Sequence, residues 1–274
     1  MLQKGLNGFQ IKLLALIFMT FDHIHFAFQG VYEVPLAFHI IGRIAAPIFI
    51  FMVTEGMRFT RNREKYMLRL WIGSLIMNIG NAMMNAHFPL KSGGIIINNI
   101  FSTLFIICLF IYGFEKLVSS LQAKQYYKVL GFSLLTLLPF ISSALIFAIA
   151  NTGFDHLYMI YLYKFIMTAF PSILFTEGGY VLVLLGLGFY LFGRSKIKLG
   201  AFYLISSAVY FFLSVDYSSV SALLASDIQW LMVLALPFLL LYNREKGRSM
   251  KYLFYLYYPL HIYGLVLLSY FLGR

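Results

Sequence analysis

Three ionisable residues stand in stretches that should meet lipid. Asp22 and His23 lie inside the apolar run 10–29, and Arg43 lies inside the next, 36–57. A charge near the middle of a membrane helix costs on the order of 2.5–3.5 kcal/mol on insertion scales, so it is kept where it pairs, faces a wet cavity or does chemistry. His23 is the intramembrane group suited to take up and return a proton near neutral pH. Asp22, its sequence neighbour, points about 100° away on a helix, so the two cannot form a simple pair. Asp22 has two compatible readings: a structural ion pair with Arg43, and a support that holds His23 in place.

Other polar side chains gather at the same depth. His25 and His39 read as lining residues or interfacial anchors, and His39 shares a face with Arg43, four residues on. Ser74, Asn78, Asn81 and Asn85 form one polar stripe on one helical face, and Asn98, Asn99 and Ser102 open the following helix. The stripe reads equally as hydrogen-bonded ties between membrane helices or as the lining of a cavity. His261 falls about midway along the last apolar run. Glu177, in TEGGY, precedes two glycines, which suits a turn or an acid presented to the cavity. Glu55 reads as a partner for Arg58 or another loop cation. Arg58, Arg61, Arg63, Lys65 and Arg69 crowd one short loop. Such a patch sets topology, and it can also receive the phosphates of a cofactor through charge-assisted hydrogen bonds. No glycine-rich phosphate motif accompanies it. The histidines lack zinc-motif spacing and thiolate ligands are absent, so no metal is expected. Cys108, the only cysteine, sits in an apolar run and reads as inert packing.

The elements that position these groups are membrane helices. The 274-residue chain is 61% hydrophobic and 11% charged, against about 45–50% and about 25% in soluble domains. The expectation is an all-α, polytopic integral membrane protein with a single transmembrane domain over 1–274. The net charge of +11 does not indicate nucleic-acid binding, because the basic residues cluster between apolar segments, where they face the lipid bilayer surface. About 20 apolar residues cross a bilayer. Spans are expected near 10–29, 36–57, 66–86, 95–114, 128–150, 179–193, 199–215, 228–242 and 252–272. The first is read as a retained helix, since MLQKGLNGFQ is too short for a separate signal peptide. The segment 155–177 carries Asp155, His156, Lys164, Pro171 and Glu177. If it crossed, the clusters Arg194/Lys196/Lys198 and Arg244/Lys246/Arg248/Lys251 would fall outside, against the positive-inside rule. It is therefore expected as a re-entrant or interfacial helix, which leaves nine spans, a cytoplasmic N-terminus and an outward-facing polar layer.

The blocks IKLLALIFMTFDHI, IGRIAAPIFIFMVTEGMRFTRNREKYMLRL, TEGGY, QWLMVLALPFLLLY and KYLFYLYYPLHIY resemble, in that order, the TraX family of membrane acetylases. That family is named for the conjugation protein that acetylates the N-terminus of F-type pilin. The first two blocks are the specific part and the closing Y-P-L-H is a second anchor. The middle, roughly 118–170, matches in hydrophobic character alone. The family is also distantly similar to membrane acyltransferases that O-acetylate surface glycans with a histidine in an early helix.

The resemblance implies acetyl transfer from acetyl-CoA, and it implies Asp22, His23, Arg43, Glu55, Arg58, Glu177 and His261 as functional positions. Joined to the residues above, it gives one expected mechanism in a bacterial cytoplasmic membrane. The basic loop holds the phosphates of acetyl-CoA, and His23 removes the acceptor's proton with Asp22 or a neighbour orienting its ring. Arg43 or an asparagine amide stabilises the oxyanion, and His39, Asn78, Asn81, Asn98, Asn99 and His261 line the acceptor cavity. The acceptor is an extracytoplasmic amine, as on a peptide or pilin, or a glycan hydroxyl. Two other classes stand beside this one: a small-molecule transporter with a mid-membrane polar site, and a non-catalytic assembly protein.

Overall fold

The computed structural model describes residues 5–154, 156–214, 228–249 and 251–273. Asp155 and residue 215 of the expected seventh span lie outside the described residues. The described residues form an all-helical protein with no strand. In lipid this is one of the few architectures that satisfies every backbone donor and acceptor within the chain. The helices are α1 (Gly8–Phe28), α2 (Leu36–Gly42), α3 (Ala45–Phe59), α4 (Arg63–His87), α5 (Ile100–Gln122), α6 (Tyr126–Asn151), α7 (Leu157–Ala169), α8 (Gly179–Phe192) and α9 (Lys196–Ser214). A 3₁₀ segment, Ile228–Ala235, then leads into α10 (Leu236–Leu241), and α11 (Lys251–Leu272) follows.

Among the described residues six helices are long and apolar enough to cross a membrane: Gly8–Phe28, Leu36–Phe59 taken through its break, Ile100–Gln122, Tyr126–Asn151, Lys196–Ser214 and Tyr252–Leu272. Three further expected spans differ from these. The 25-residue α4 is long enough, but its charges and asparagines lower its hydropathy. Gly179–Phe192 and Ile228–Leu241 are shorter apolar helices, about 21 Å for the first at 1.5 Å per residue and about 25 Å for the second, whose 3₁₀ part rises about 2.0 Å per residue. Within 155–177 the helix is confined to the 13 residues Leu157–Ala169, about 20 Å against a hydrocarbon core of about 30 Å.

One compact unit comprises Met1–Met52, Met84–Ile96 and Gly188–Arg274. Here α1 packs against both α2 and α11. The start of α1 is a capping box: Asn7 Oδ1 accepts from Phe9 N and Gln10 N, and Gln10 Oε1 accepts from Asn7 N. The chain just before it is clasped by the chain after α10, through Leu6 N to Leu241 O at 2.8 Å and Asn243 N to Leu6 O at 2.9 Å. Tyr203 of α9 donates its hydroxyl to the Met232 carbonyl of the 3₁₀ segment.

The expected continuous helix 36–57 is broken at Arg43 and Ile44, and Pro47 explains the break. Proline has no N–H to offer the carbonyl four residues back, which is that of Arg43, and its ring crowds that oxygen. The turn tightens to i→i−3 bonds, Arg43 N to Ile40 O and Ile44 N to Ile41 O, both 3.2 Å. Gly42 permits the close approach of α2 to α1: a Cβ there would lie 2.2 Å from the Asp22 Cβ.

The second unit comprises Val53–Met83 and Ile97–Leu187. After α7 the backbone leaves the helix at Phe170, and α6 receives it. Ser142 Oγ donates to the Pro171 carbonyl, Ser143 Oγ pairs with Ser172 Oγ at 2.7 Å, and Ile173 N donates to the Pro139 carbonyl at 3.2 Å. Irregular backbone at membrane depth is tolerated where protein supplies such partners.

The packing at Gly42 makes a direct prediction. Gly42→Ala is expected to cost about 1–3 kcal/mol, the usual penalty of overpacking, read as a lowered thermal unfolding midpoint in detergent. Gly131→Ala meets nothing within 4 Å, so it should leave the midpoint unchanged or raise it, as alanine is the better helix former by about 1 kcal/mol.

Candidate functional site

Asp22 and His23 are adjacent on α1, and the angle between them sends them to different helices. Asp22 meets α2 and the kink. Arg43 Nη2 lies 2.7 Å from both of its carboxylate oxygens, and His39 Nδ1 donates to Oδ1 at 2.8 Å. Arg43 Nη1 donates to Gln229 Oε1 at 3.0 Å. The His39 ring stacks on His25 with centroids 5.0 Å apart. The Arg43 and Asp22 side chains are only 21% and 18% exposed, so each charge depends on the other for compensation.

His23, 3% exposed, meets α11. Its Nδ1 lies 2.6 Å from His261 Nε2, and His261 Nδ1 lies 2.7 Å from the Tyr257 carbonyl one turn earlier. This chain fixes the tautomers of the neutral rings. A carbonyl only accepts, so His261 carries its proton on Nδ1 and presents a lone pair at Nε2. His23 therefore carries its proton on Nδ1, donates it to His261, and has its own lone pair on Nε2. Around this pair, the Tyr257 ring stacks on His261 at 4.8 Å and Tyr258 meets His23 edge-on at 6.1 Å. Thr20 Oγ1 donates to the Leu16 carbonyl at 2.7 Å and so accepts from the Tyr257 hydroxyl, also at 2.7 Å.

Asp22 is thus the partner of Arg43 and His39, while the residue that orients His23 is His261. Sequence reasoning missed Gln229, Thr20 and Tyr257. Gln229 had a weak signal, a lone amide at the head of an apolar run. Tyr257 had one too, at four residues before His261 on the same face. Thr20 is one of many hydroxyls in apolar helices.

In the second unit the five cations of the basic loop divide. Arg58 forms a buried ion pair with Glu55, and Arg63 pairs with Glu115. Tyr112 donates to Glu64 Oε1 at 2.7 Å, which holds the Glu64 carboxyl below its usual range. The Arg69 guanidinium lies 6.0 Å from the Tyr66 ring centroid. Among the described residues Arg61, Lys65 and Arg69 have no ion-pair partner.

The asparagine stripe is engaged with backbone. Asn99 caps α5, accepting from Ser102 N at 3.3 Å, and donates to the Ser74 carbonyl at 3.0 Å and Asn78 Oδ1 at 2.6 Å. Asn81 donates to the Asn98 carbonyl at 2.9 Å. Asn78 donates to the carbonyls of Met167 and Thr168, and Trp71 to that of Ala169. Those three carbonyls end α7, where no intrahelical partner exists. Asn85, in the first unit, exchanges two hydrogen bonds with Ile96, at 2.8 and 2.9 Å. Glu177 follows Thr176 in the turn before α8. Its carbonyl accepts from Thr103 Oγ1 at 2.7 Å, and Gly178 and Gly179 supply the positive φ values of 69° and 54° that turn the chain.

A protein-family model described as TraX protein matches residues 7–269. No curated protein and no solved structure matches the chain.

Removing one member of the Asp22–Arg43 pair strands the other. Arg43→Met is expected to lower stability by about 3–5 kcal/mol, whereas the double variant Asp22→Asn with Arg43→Met should recover most of that loss. Denaturation of the three proteins in the same detergent checks this. Equal losses in the single and double variants would show that the pair is not coupled.

Proposed function

The chain belongs to the TraX family, and on that premise we propose that it is a membrane-embedded acetyltransferase. It moves an acetyl group from cytosolic acetyl-CoA to an extracytoplasmic amine, such as a peptide or pilin N-terminus, or to a hydroxyl. One observation carries the reading: the run from His23 through His261 to the Tyr257 carbonyl gives a buried neutral imidazole its base at a defined atom, Nε2. The motif blocks around Asp22–His23 and Arg43 support it, because they are the part of the chain most specific to the family.

In this mechanism His23 Nε2 takes the proton of the acceptor's nitrogen or oxygen as that atom bonds to the acetyl carbonyl carbon. The positive charge on His23 is shared with His261, whose Nε2 accepts the Nδ1 proton while its own Nδ1–H stays on the Tyr257 carbonyl. Arg43, braced by Asp22 and Gln229, stabilises the developing oxyanion; Nε is its donor nitrogen without a hydrogen-bond partner. The carbon–sulfur bond then breaks and His23 returns its proton to the thiolate, which leaves as CoA. Direct transfer fits because no serine or cysteine among the described residues is paired with a base. Of the basic loop, Arg61, Lys65 and Arg69 receive the donor's phosphates, since Arg58 and Arg63 are committed to Glu55 and Glu115. Glu177 remains a functional position on the resemblance. The proposed setting is a bacterial cytoplasmic membrane crossed nine times from a cytoplasmic N-terminus, with Leu157–Ala169 re-entrant or interfacial on the outer side.

Purified wild-type protein should release free thiol from acetyl-CoA when given a peptide amine. His23→Ala is expected to cut that rate by about 10²–10⁴, the usual contribution of a general base. His261→Ala should reduce it in the same direction by a smaller factor. Undiminished release by His23→Ala would remove His23 from the reaction. For topology, an accessibility tag inserted after Lys196 should report the cytoplasm, and an outer-side signal would make 155–177 a further span.

A further inference from the structure

The reaction above leaves the stacked imidazoles of α1 and α2 unused. His39 Nδ1 donates to Asp22 Oδ1 at 2.8 Å. A carboxylate only accepts, so Nδ1 carries the proton of the neutral ring and Nε2 keeps a lone pair. Among the described residues Nε2 has no hydrogen-bond partner, and the His39 side chain is 34% exposed. His25 holds the ring in place, its plane 17° from that of His39. His25 lies in the last turn of α1 and His39 is the fourth residue of α2, on either side of the loop 29–35. In the proposed topology this loop is on the outer side. The pair then stands at the outer end of both helices, with His25 about 4.5 Å beyond Asp22 along α1.

The surroundings decide what a base placed here can do. From α1, Asp22 and His25 face His39; from α2 itself Arg43 does, with Nη2 3.5 Å from Nδ1. The 3₁₀ segment brings the neutral Gln229 to Arg43, and Glu33 in the loop is exposed. Asp22 and Arg43 balance each other. A proton taken up at Nε2 adds a charge beyond that balance, which favours its release to water at the exposed edge. The Arg43 guanidinium is within electrostatic reach of His25 and of His23, so it joins this outer pair to the reacting base.

The number of protons to be moved differs between the two acceptor classes. A hydroxyl loses one proton on acetylation, and His23 alone can carry it to the departing thiolate. An amine reaches neutral water mostly as the ammonium, because the pKa of a peptide α-amine is about 7.7–8.0. It must lose two protons to become an amide, and its lone pair is not free until the first has gone. We propose that His39 Nε2 takes this first proton, and that the acceptor substrate is therefore an amine rather than a hydroxyl. The ammonium N–H bond breaks and its proton goes to His39 Nε2. The freed lone pair bonds to the acetyl carbonyl carbon, and the second proton passes through His23 to the sulfur as the carbon–sulfur bond breaks. His39 gives its proton to the outer water, so each turnover leaves an amide, free CoA and one proton outside. The assignment rests on the acetyltransferase reading.

Thiol release from acetyl-CoA is followed with full-length protein in phosphatidylcholine nanodiscs and a peptide carrying a free α-amine. The neutral fraction of that amine rises about sevenfold between about pH 6.5 and about pH 7.5. Wild type, which takes the ammonium, is expected to change in kcat/KM by less than about threefold over this range. His39→Asn keeps an amide donor where Nδ1 met Asp22 and removes the base at Nε2. Its kcat/KM should lie below wild type at the acid end and climb with the neutral amine, about sevenfold. Parallel profiles for the two proteins, whatever the offset, overturn His39 as the proton acceptor. A variant silent across the range with a wild-type unfolding midpoint overturns it as well. The wild-type profile alone is decisive if the variant does not fold: a sevenfold rise means that only neutral amine enters, which overturns the assignment and leaves the acetyltransferase reading standing. A wild type that releases no thiol overturns that reading and the role of His39 with it.

Discussion

Without water in the hydrocarbon core, a polar side chain on a membrane helix must find its partner in protein. The rest of the structure around α1 follows from this constraint acting on two neighbouring residues. Asp22 needs a cation and His23 needs a hydrogen-bond partner, and the helix points them in different directions. α2 therefore has to bring Arg43 to one side of α1, and α11 has to bring His261 to the other. The kink at Arg43 serves the first need, since Pro47 stops the helix where the guanidinium must reach Asp22. Gly42 serves it as well, because a larger residue would hold α2 away. The backbone carbonyl of Tyr257 serves the second, by deciding which nitrogen of each imidazole carries a proton.

The second unit answers the same constraint with amides. Asparagine and tryptophan side chains on α4 stand in for water at the carbonyls that end α7 and at the chain leading into α5. The serines of α6 do so for the irregular backbone after α7. A short helix and a non-helical stretch keep their backbone carbonyls paired because neighbouring helices are spaced to supply donors.

How much of this was legible in the sequence depended on the range of the signal. The Asp22–Arg43 pair was readable because opposite charges in adjacent apolar runs have few other ways to be neutralised. The asparagine face was readable from its helical spacing, but its use was not, since a side-chain amide gives no sign of whether it meets another helix's carbonyls or a cavity. Pro47 was in plain view inside IGRIAAPIFIF, and the unbroken hydropathy of 36–57 concealed the kink that it causes. The pairing of His23 with His261 had no local signal at all, since the two residues are 238 positions apart. The orienter of His23 was consequently left as Asp22 or a neighbour, and the structure sets His261 against its Nδ1. The basic loop read as one patch, because charge density carries no information about which arginines already have acids. The segment 155–177 was expected as re-entrant or interfacial from where the later basic clusters must lie, and its helix stops after 13 residues because Pro171 follows closely.

The clasp between Leu6 and the strand-like turn after α10 bears on how the protein is made. Membrane helices enter the bilayer in order of synthesis, so α1 arrives before both of its partners and waits. Until Arg43 follows, Asp22 faces lipid or water without its counter-charge. Until α11 follows, His23 has no His261 to fix its proton, and the loop that covers the head of α1 does not yet exist. α1 is thus made before its partners and completed only after them. A ribosome that stalls anywhere before α11 leaves a chain with many of its helices but without the His23–His261 pair, so the proton on the His23 ring has a defined place only once α11 has been made.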